Sequence, residues 1–222
     1  MEGLRLYTQL QIHPLFQGME RADLDEIITH TKFDFRKYNA QQVIAEEYSP
    51  CNHMLFLLSG TVTIETASDD RSYKMVEECA APWLIPIDNL FGLRQHYTHT
   101  FKAKTTCHIL AIDKGEVLTL AAGHLVFRMN LLNILSALSQ KKEHILWRTF
   151  PKTLEERIAR FLNQHCITPK GTKTLHIKMT RLAEELNDSR LDISRALNRM
   201  QEQGLIVLQR GRIQIPAIEK VR

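Results

Sequence analysis

Between residues 32 and 113 apolar and polar side chains alternate in short runs, and beyond residue 114 the period lengthens to that of a helix. The alternating runs at 32–37, 43–46, 53–58, 61–66, 73–77, 98–103 and 108–113 read as strands. Turn-forming pieces such as Ser49-Pro50-Cys51-Asn52, Ser59-Gly60 and Ser68-Asp69-Asp70-Arg71 separate them. Many short strands at regular spacing predict a sandwich or small barrel. Ahead of them, 20–31 places Leu24, Ile27 and Ile28 at helical spacing. After them come a short helix at 114–121, a break at Gly123, and a long helix at 124–148 without Pro or Gly. In that helix Leu131, Leu138 and Ile145 recur every seven residues, Phe127 and Ile134 take the intermediate positions, and Leu135 flanks the seam. Such a repeat is either the buried face of one domain's helix or a two-helix dimer contact; the length and the 3.5-residue period favour the dimer.

Pro151 discourages the long helix from continuing. Thr153-Leu154-Glu155-Glu156 then has the form of a capping box and opens a helix with Ile158, Phe161 and Leu162 on one side. The pattern therefore predicts an α+β chain of three parts: a β-barrel domain at 1–122, a dimerisation helix at 123–149, and a small helical domain with a hairpin at 150–222.

The last part holds the most specific signal. Thr180 is placed to cap a short helix over 181–186, with Leu182, Ala183 and Leu186 inward. Asn187-Asp188-Ser189 makes a tight turn, Asn being tolerant of the left-handed conformation. Ser189 caps a second helix running to about Gln203, and Gly204 ends it. Advancing about 100° per residue, Ile193, Ala196, Leu197 and Met200 form one stripe. Arg190, Leu191, Ser194, Arg195 and Asn198 form the opposite face. A short helix, a tight turn and a helix with Arg, Ser and Asn outward is what reading the major groove requires, because Arg and Asn bond base edges bidentately. Residues 205–209 and 212–215 then alternate around Arg210-Gly211, which reads as a hairpin wing with Arg210 and Arg212 set to touch phosphates.

Charge sharpens this picture. The chain has 222 residues and a net charge of +4, but 150–222 carries fourteen Lys and Arg against eight Asp and Glu, while 1–149 is slightly acidic. A basic C-terminal third on a near-neutral body suits a polyanion partner for that third alone. There is no long apolar stretch and no signal-peptide pattern, which predicts a cytoplasmic protein with no membrane partner. Cys51, Cys79, Cys107 and Cys166 are widely spaced, which argues against a metal or iron–sulfur site and for free thiols.

Ser189-Arg190-Leu191-Asp192-Ile193-Ser194-Arg195-Ala196-Leu197, followed by Gln203-Gly204-Leu205-Ile206, resembles the winged helix-turn-helix of the Crp–Fnr superfamily. Met54-Leu55-Phe56-Leu57-Leu58-Ser59-Gly60-Thr61-Val62 is similar to the strand–Gly–strand step of a cyclic-nucleotide-binding-type barrel or jelly roll. The resemblance implies a homodimeric regulator on palindromic promoter DNA, with RNA polymerase as a further candidate contact and a small molecule of unknown identity as candidate effector. Arg190 and Arg195 match the family's base-contacting positions. Leu191 stands where the family often has Glu, so the half-site is expected to differ from the common one. The family's G-E … R-S-A nucleotide cassette is not matched: Leu93 follows Gly92 where Glu is expected, and Tyr97 stands where Arg is expected. Cyclic-nucleotide binding is therefore expected to be lost, with Arg94, Tyr97 and Thr98 as weak ligand-site candidates, and no cofactor or metal is expected. His96 and His99, three apart, read as a surface pair.

Nucleophile-elbow, P-loop, zincin and dinucleotide motifs are all missing, which leaves little for an enzyme reading. A C-terminal region that binds protein instead of DNA would carry aliphatic or aromatic anchors on its exposed face, and only Leu191 fits that pattern.

Overall fold

The computed structural model describes residues 2–147 and 149–221, with the side chains of residues 2–5 and 144–146 outside the description. In chain order its elements are α1 (Glu2–Gln11), a 3-10 turn (Pro14–Phe16), α2 (Arg21–His30), β1 (Phe33–Tyr38), β2 (Val43–Ala45), β3 (His53–Ser59), β4 (Thr61–Ala67), β5 (Lys74–Ala80), β6 (Trp83–Leu84), β7 (Thr100–Ala103) and β8 (Cys107–Asp113). There follow α3 (Lys114–Gly123), α4 (Leu125–Leu146), α5 (Leu154–Gln164), β9 (Lys173–His176), α6 (Met179–Leu186), α7 (Arg190–Glu202), β10 (Val207–Gln209), β11 (Arg212–Ile215) and a second 3-10 turn (Ile218–Lys220). All seven strands expected from alternation form, while α1, β6 and β9 are elements the pattern did not announce. The strands make open sheets instead of a closed barrel.

The chain divides into two compact units that are not contiguous in sequence. The first comprises residues up to Val62, Ala80–Thr98 and Lys102–Leu146; the second comprises Thr63–Cys79, His99–Phe101 and the chain from Trp147 on.

In the first unit β1, β8, β3 and β6 form an antiparallel sheet in that order, with Phe33 opposite Ile112 and Met54 also opposite Ile112 on its other side. Met54–Leu57 and Ile109–Ile112 are buried at every position, as strands covered on both faces require. Gly60 links β3 to β4 with a positive φ of 96°, and a Cβ there would lie 2.4 Å from the Thr106 carbonyl, so no side chain fits this step. Asp113 caps α3, its side chain accepting from the Gly115 amide. The helix ends at Gly123, and α4 starts after the extended residue His124. Phe16 packs between Phe56 and Phe127, at ring distances of 5.7 and 5.5 Å. The Asn130 side-chain amide donates to the Leu15 and Gln17 carbonyls and so pins α4 to the first 3-10 turn.

The second unit has one core built on α5, α6, α7 and a sheet in which β10, β11, β9, β5 and β4 are successive neighbours. The Thr153–Glu156 capping box forms as its sequence requires, hydroxyl and carboxylate each accepting from the other's backbone. Ile158, Leu162, Leu182, Ile193, Leu197 and Ile215 are all fully buried in this core. Met75 of β5 belongs to the same core. The pairing of β5 with β9 sets Met75 opposite Leu175 and Glu77 opposite Lys173. Lys173 and Glu77 are completely buried and form an ion pair of 2.9 Å. The Ile167 and Thr168 amides and the Thr168 hydroxyl also donate to the Glu77 carboxylate, so its desolvation is offset by several bonds.

Candidate nucleic-acid interface

The site grows from the turn between α6 and α7. Asn187 takes the left-handed conformation at φ 49°, ψ 55° and lets the chain reverse in three residues. The Ser189 hydroxyl accepts from the Asp192 amide and donates to the Asp192 carboxylate, which fixes the start of α7. Arg157 of α5 donates to the Leu186 carbonyl and pairs with Asp188, tying the turn to the core below.

The turn fixes which way α7 faces. Ile193, Ala196, Leu197 and Met200 are each no more than 2% exposed, and they anchor the helix. Arg190, Leu191, Arg195 and Asn198 are exposed, and Ser194 is half-buried at the edge of that face. Leu191 is 60% exposed and is the aliphatic member of this face. Arg195 pairs with Asp192 at 3.3 Å, both side chains more than half exposed. Such a pair is weak in water and leaves the guanidinium able to exchange partners. Arg199 lies elsewhere on the helix and is bound by Glu155.

One expectation needs correcting. Thr180 does not cap α6: the helix begins at Met179, the capping position is Lys178, and no side chain accepts from the first-turn amides there. Thr180 is instead an exposed residue of the first turn, beside amides that a phosphate oxygen could accept from. The wing forms as expected. Val207 pairs with Gln214 and Gln209 with Arg212, leaving Arg210 and Gly211 as a two-residue turn in which Gly211 has φ 73°. Arg210 and Arg212 are both exposed at this tip.

On α4, Phe127 is fully buried and Leu131 is 7% exposed, so both pack into the core of their own unit. Ile134, Leu135 and Leu138 are half-buried, and the side chain of Ile145 lies outside the described residues. Among the described residues of α4 the exposed large apolar side chains are Leu125, Met129 and Leu132, which themselves follow heptad spacing. In the nucleotide-cassette region Leu93 is fully exposed and Arg94 exposed, whereas Tyr97 is 7% exposed with its hydroxyl facing the His53 carbonyl. Burial pushes the Tyr97 phenol well above its ordinary range. Thr98 accepts from the Asn89 side chain. Burial also raises the Cys51, Cys79 and Cys107 thiols, Cys79 to about 11, which is the opposite of what a reactive thiolate needs. Among the described residues one group of metal-capable side chains comes together, Asp23, Glu26 and His124, with ligand atoms within 4.8 Å of one another. No spacing in the sequence points to it. Among the described residues no single helix is long and apolar enough to cross a membrane.

Comparison with known proteins agrees with this arrangement. Residues 35–124 match the cyclic nucleotide-binding domain family, and residues 156–222 match the Crp-like helix-turn-helix domain family. No curated protein matches the chain. Among solved structures, the Thermus thermophilus catabolite activator protein is similar at 19% identity over 91% of this chain and 93% of that one, with a TM-score of 0.53. The sensor domain of the transcriptional regulator DNR from Pseudomonas aeruginosa is similar at 17% identity over 69% of this chain and all of that one, with a TM-score of 0.54. At these identities the structures speak for the fold alone. The matches point to a transcription regulator instead of an enzyme. With a cyclic-nucleotide-binding-type domain followed by a long helix and a Crp-like winged helix-turn-helix, the chain belongs to the Crp–Fnr superfamily of transcription regulators.

Proposed function

We propose that the protein is a cytoplasmic homodimer that reads a palindromic promoter site by placing α7 in the major groove. The observation that carries this is the division of α7 into a fully buried apolar stripe and an exposed face of Arg190, Leu191, Arg195 and Asn198. Arg190 and Arg195 are the residues for guanine edges, Asn198 suits adenine, and Leu191 offers apolar contact to a thymine methyl. Thr180, Ser189 and Ser194 border this face, and Arg210 and Arg212 reach the flanking phosphates. Function divides along the chain as sensor at 1–122, dimer helix at 123–149 and DNA-reading region at 150–222, with hairpin 63–79 physically part of the last.

Tyr97 and Leu93 support loss of cyclic-nucleotide binding. A buried phenol cannot supply the phosphate's cation, and an exposed Leu cannot hold a ribose. Any effector is then a different small molecule, and RNA polymerase is a further partner if the protein activates. A binding selection from genomic fragments with the full chain and no added effector tests the proposal. It should return a two-fold symmetric motif whose half-site differs from the common family one. Recovery of unrelated fragments alone contradicts sequence-specific reading.

A further inference from the structure

The hairpin formed by β4 and β5 lies inside the stretch that matches the cyclic nucleotide-binding family, yet it is built into the unit that carries the winged helix. It supplies β5 as the neighbour of β9, Met75 to the core, and Glu77 to the buried pair with Lys173. Its tip reaches α6. Asp70 pairs with Arg181 at 3.3 Å, and Glu184 and Glu185 hold the same guanidinium. The tip is itself ordered: Asp70 accepts from the Ser68 and Ser72 hydroxyls and from the Ser72 amide. In a helix-turn-helix the first helix crosses the phosphate backbone, so a cation in the first turn of α6 belongs opposite a phosphate. Here an aspartate occupies it.

We propose that the 63–79 hairpin is an autoinhibitory clasp, whose acidic tip occupies Arg181 and opposes phosphate at the start of α6 while the β5–β9 ladder and the Glu77–Lys173 pair hold it there. The inference rests on the reading of α6 and α7 as the DNA-binding pair. Because the chain leaves the first unit after Val62 and re-enters it at Ala80, the hairpin is covalently strung from the sensor strands at both ends. Release of the tip removes the Asp70 carboxylate from Arg181, which then keeps only the solvent-side pairs with Glu184 and Glu185 of its own helix and can exchange them for a phosphate. The ladder is short, joining four residue pairs, and the buried Glu77–Lys173 pair within it favours the closed arrangement.

The test uses the full chain and a random-sequence duplex, because a phosphate contact acts on all sequences. Asp70→Asn should bind the duplex severalfold more tightly than the unmodified protein, and the gain should vanish in an Arg181→Gln background. Val76 and Thr174 face each other across the ladder. Cysteines at both positions should cross-link on oxidation and lower duplex affinity, and reductant should restore it. Thermal melts of each variant separate loss of folding from change of affinity. Equal binding by Asp70→Asn and the unmodified protein overturns the clasp, as does a cross-link that fails to form or leaves affinity unchanged. If the unmodified protein binds duplex and Arg195→Ala weakens operator binding, those failures leave the DNA-binding reading standing; if no variant binds any duplex, the DNA-binding reading itself has failed.

Discussion

His13 shows how far one residue can depart from its type. It is 1% exposed, stacks edge-on against Phe56 at 5.0 Å, and burial lowers its pKa to about 4. Above about pH 6.5 both folded and unfolded chains carry it neutral, and its contribution to stability is at its full value. As pH falls toward 4 only the unfolded chain takes the proton, so stability declines, by roughly 3 kcal/mol at most. His13→Leu should flatten the fall in melting temperature between about pH 6.5 and 4, and an unchanged slope would assign that loss to other groups. Several residues could be read in advance because their role is local: the Ser189 cap, the Thr153–Glu156 box, the left-handed Asn187. Others could not. Lys173 points inward because its partner Glu77 is nearly a hundred residues away in sequence, and no local pattern announces a lysine in a core. Thr180 has a capping side chain, but the helix starts two residues earlier than its hydroxyl would suggest.

Elements follow the same division. The face of α7 was legible because its period and caps agree, and the position of α7 depends on them. Ser189→Ala should lower stability by about 1 kcal/mol through loss of the cap, and should weaken operator binding beyond the amount a melt explains, since the turn aims Arg190 and Arg195. Operator affinity equal to that of the parent protein would show that the turn is held by Arg157 and Asp188 without the cap. By contrast, α4 has apolar side chains on two sides, and spacing cannot say which side meets its own chain. Asn130 and Phe16 settle this by drawing Phe127 and Leu131 inward. For the homodimer proposed above, the outward row of Leu125, Met129 and Leu132 is the candidate contact with a second copy. Leu132→Glu should shift the protein toward monomer in sedimentation and leave its melting of the isolated chain nearly unchanged, whereas an undisturbed dimer would move the interface elsewhere. β9 was missed for the reason given for Lys173: its burial alternates, but with Lys and Leu on the same inward face its residue types do not alternate between apolar and polar.

At the scale of the molecule, the order of barrel-type domain, long helix and winged helix could be read from the change in hydrophobic period and from the resemblance of 189–206. The division into compact units could not. Hairpin 63–79 alternates like its neighbours in the sensor region, and nothing in that alternation reveals that its outer strand continues the sheet of the C-terminal region. Sequence patterns report the face of a strand, not the partner at its edge. A stretch that matches the cyclic nucleotide-binding family therefore contributes its hairpin to the compact unit of the Crp-like helix-turn-helix.

The central claim is that α7 reads bases while the wing holds the backbone. The measurement that tests it most directly is duplex affinity of Arg195→Ala and Arg212→Ala, each on the selected operator and on a random duplex. Arg195→Ala should lose about 1–3 kcal/mol on the operator and little on random DNA, while Arg212→Ala should weaken both alike and lower the salt slope by about one. Equal losses on both duplexes from Arg195→Ala, or no loss at all, would contradict the account.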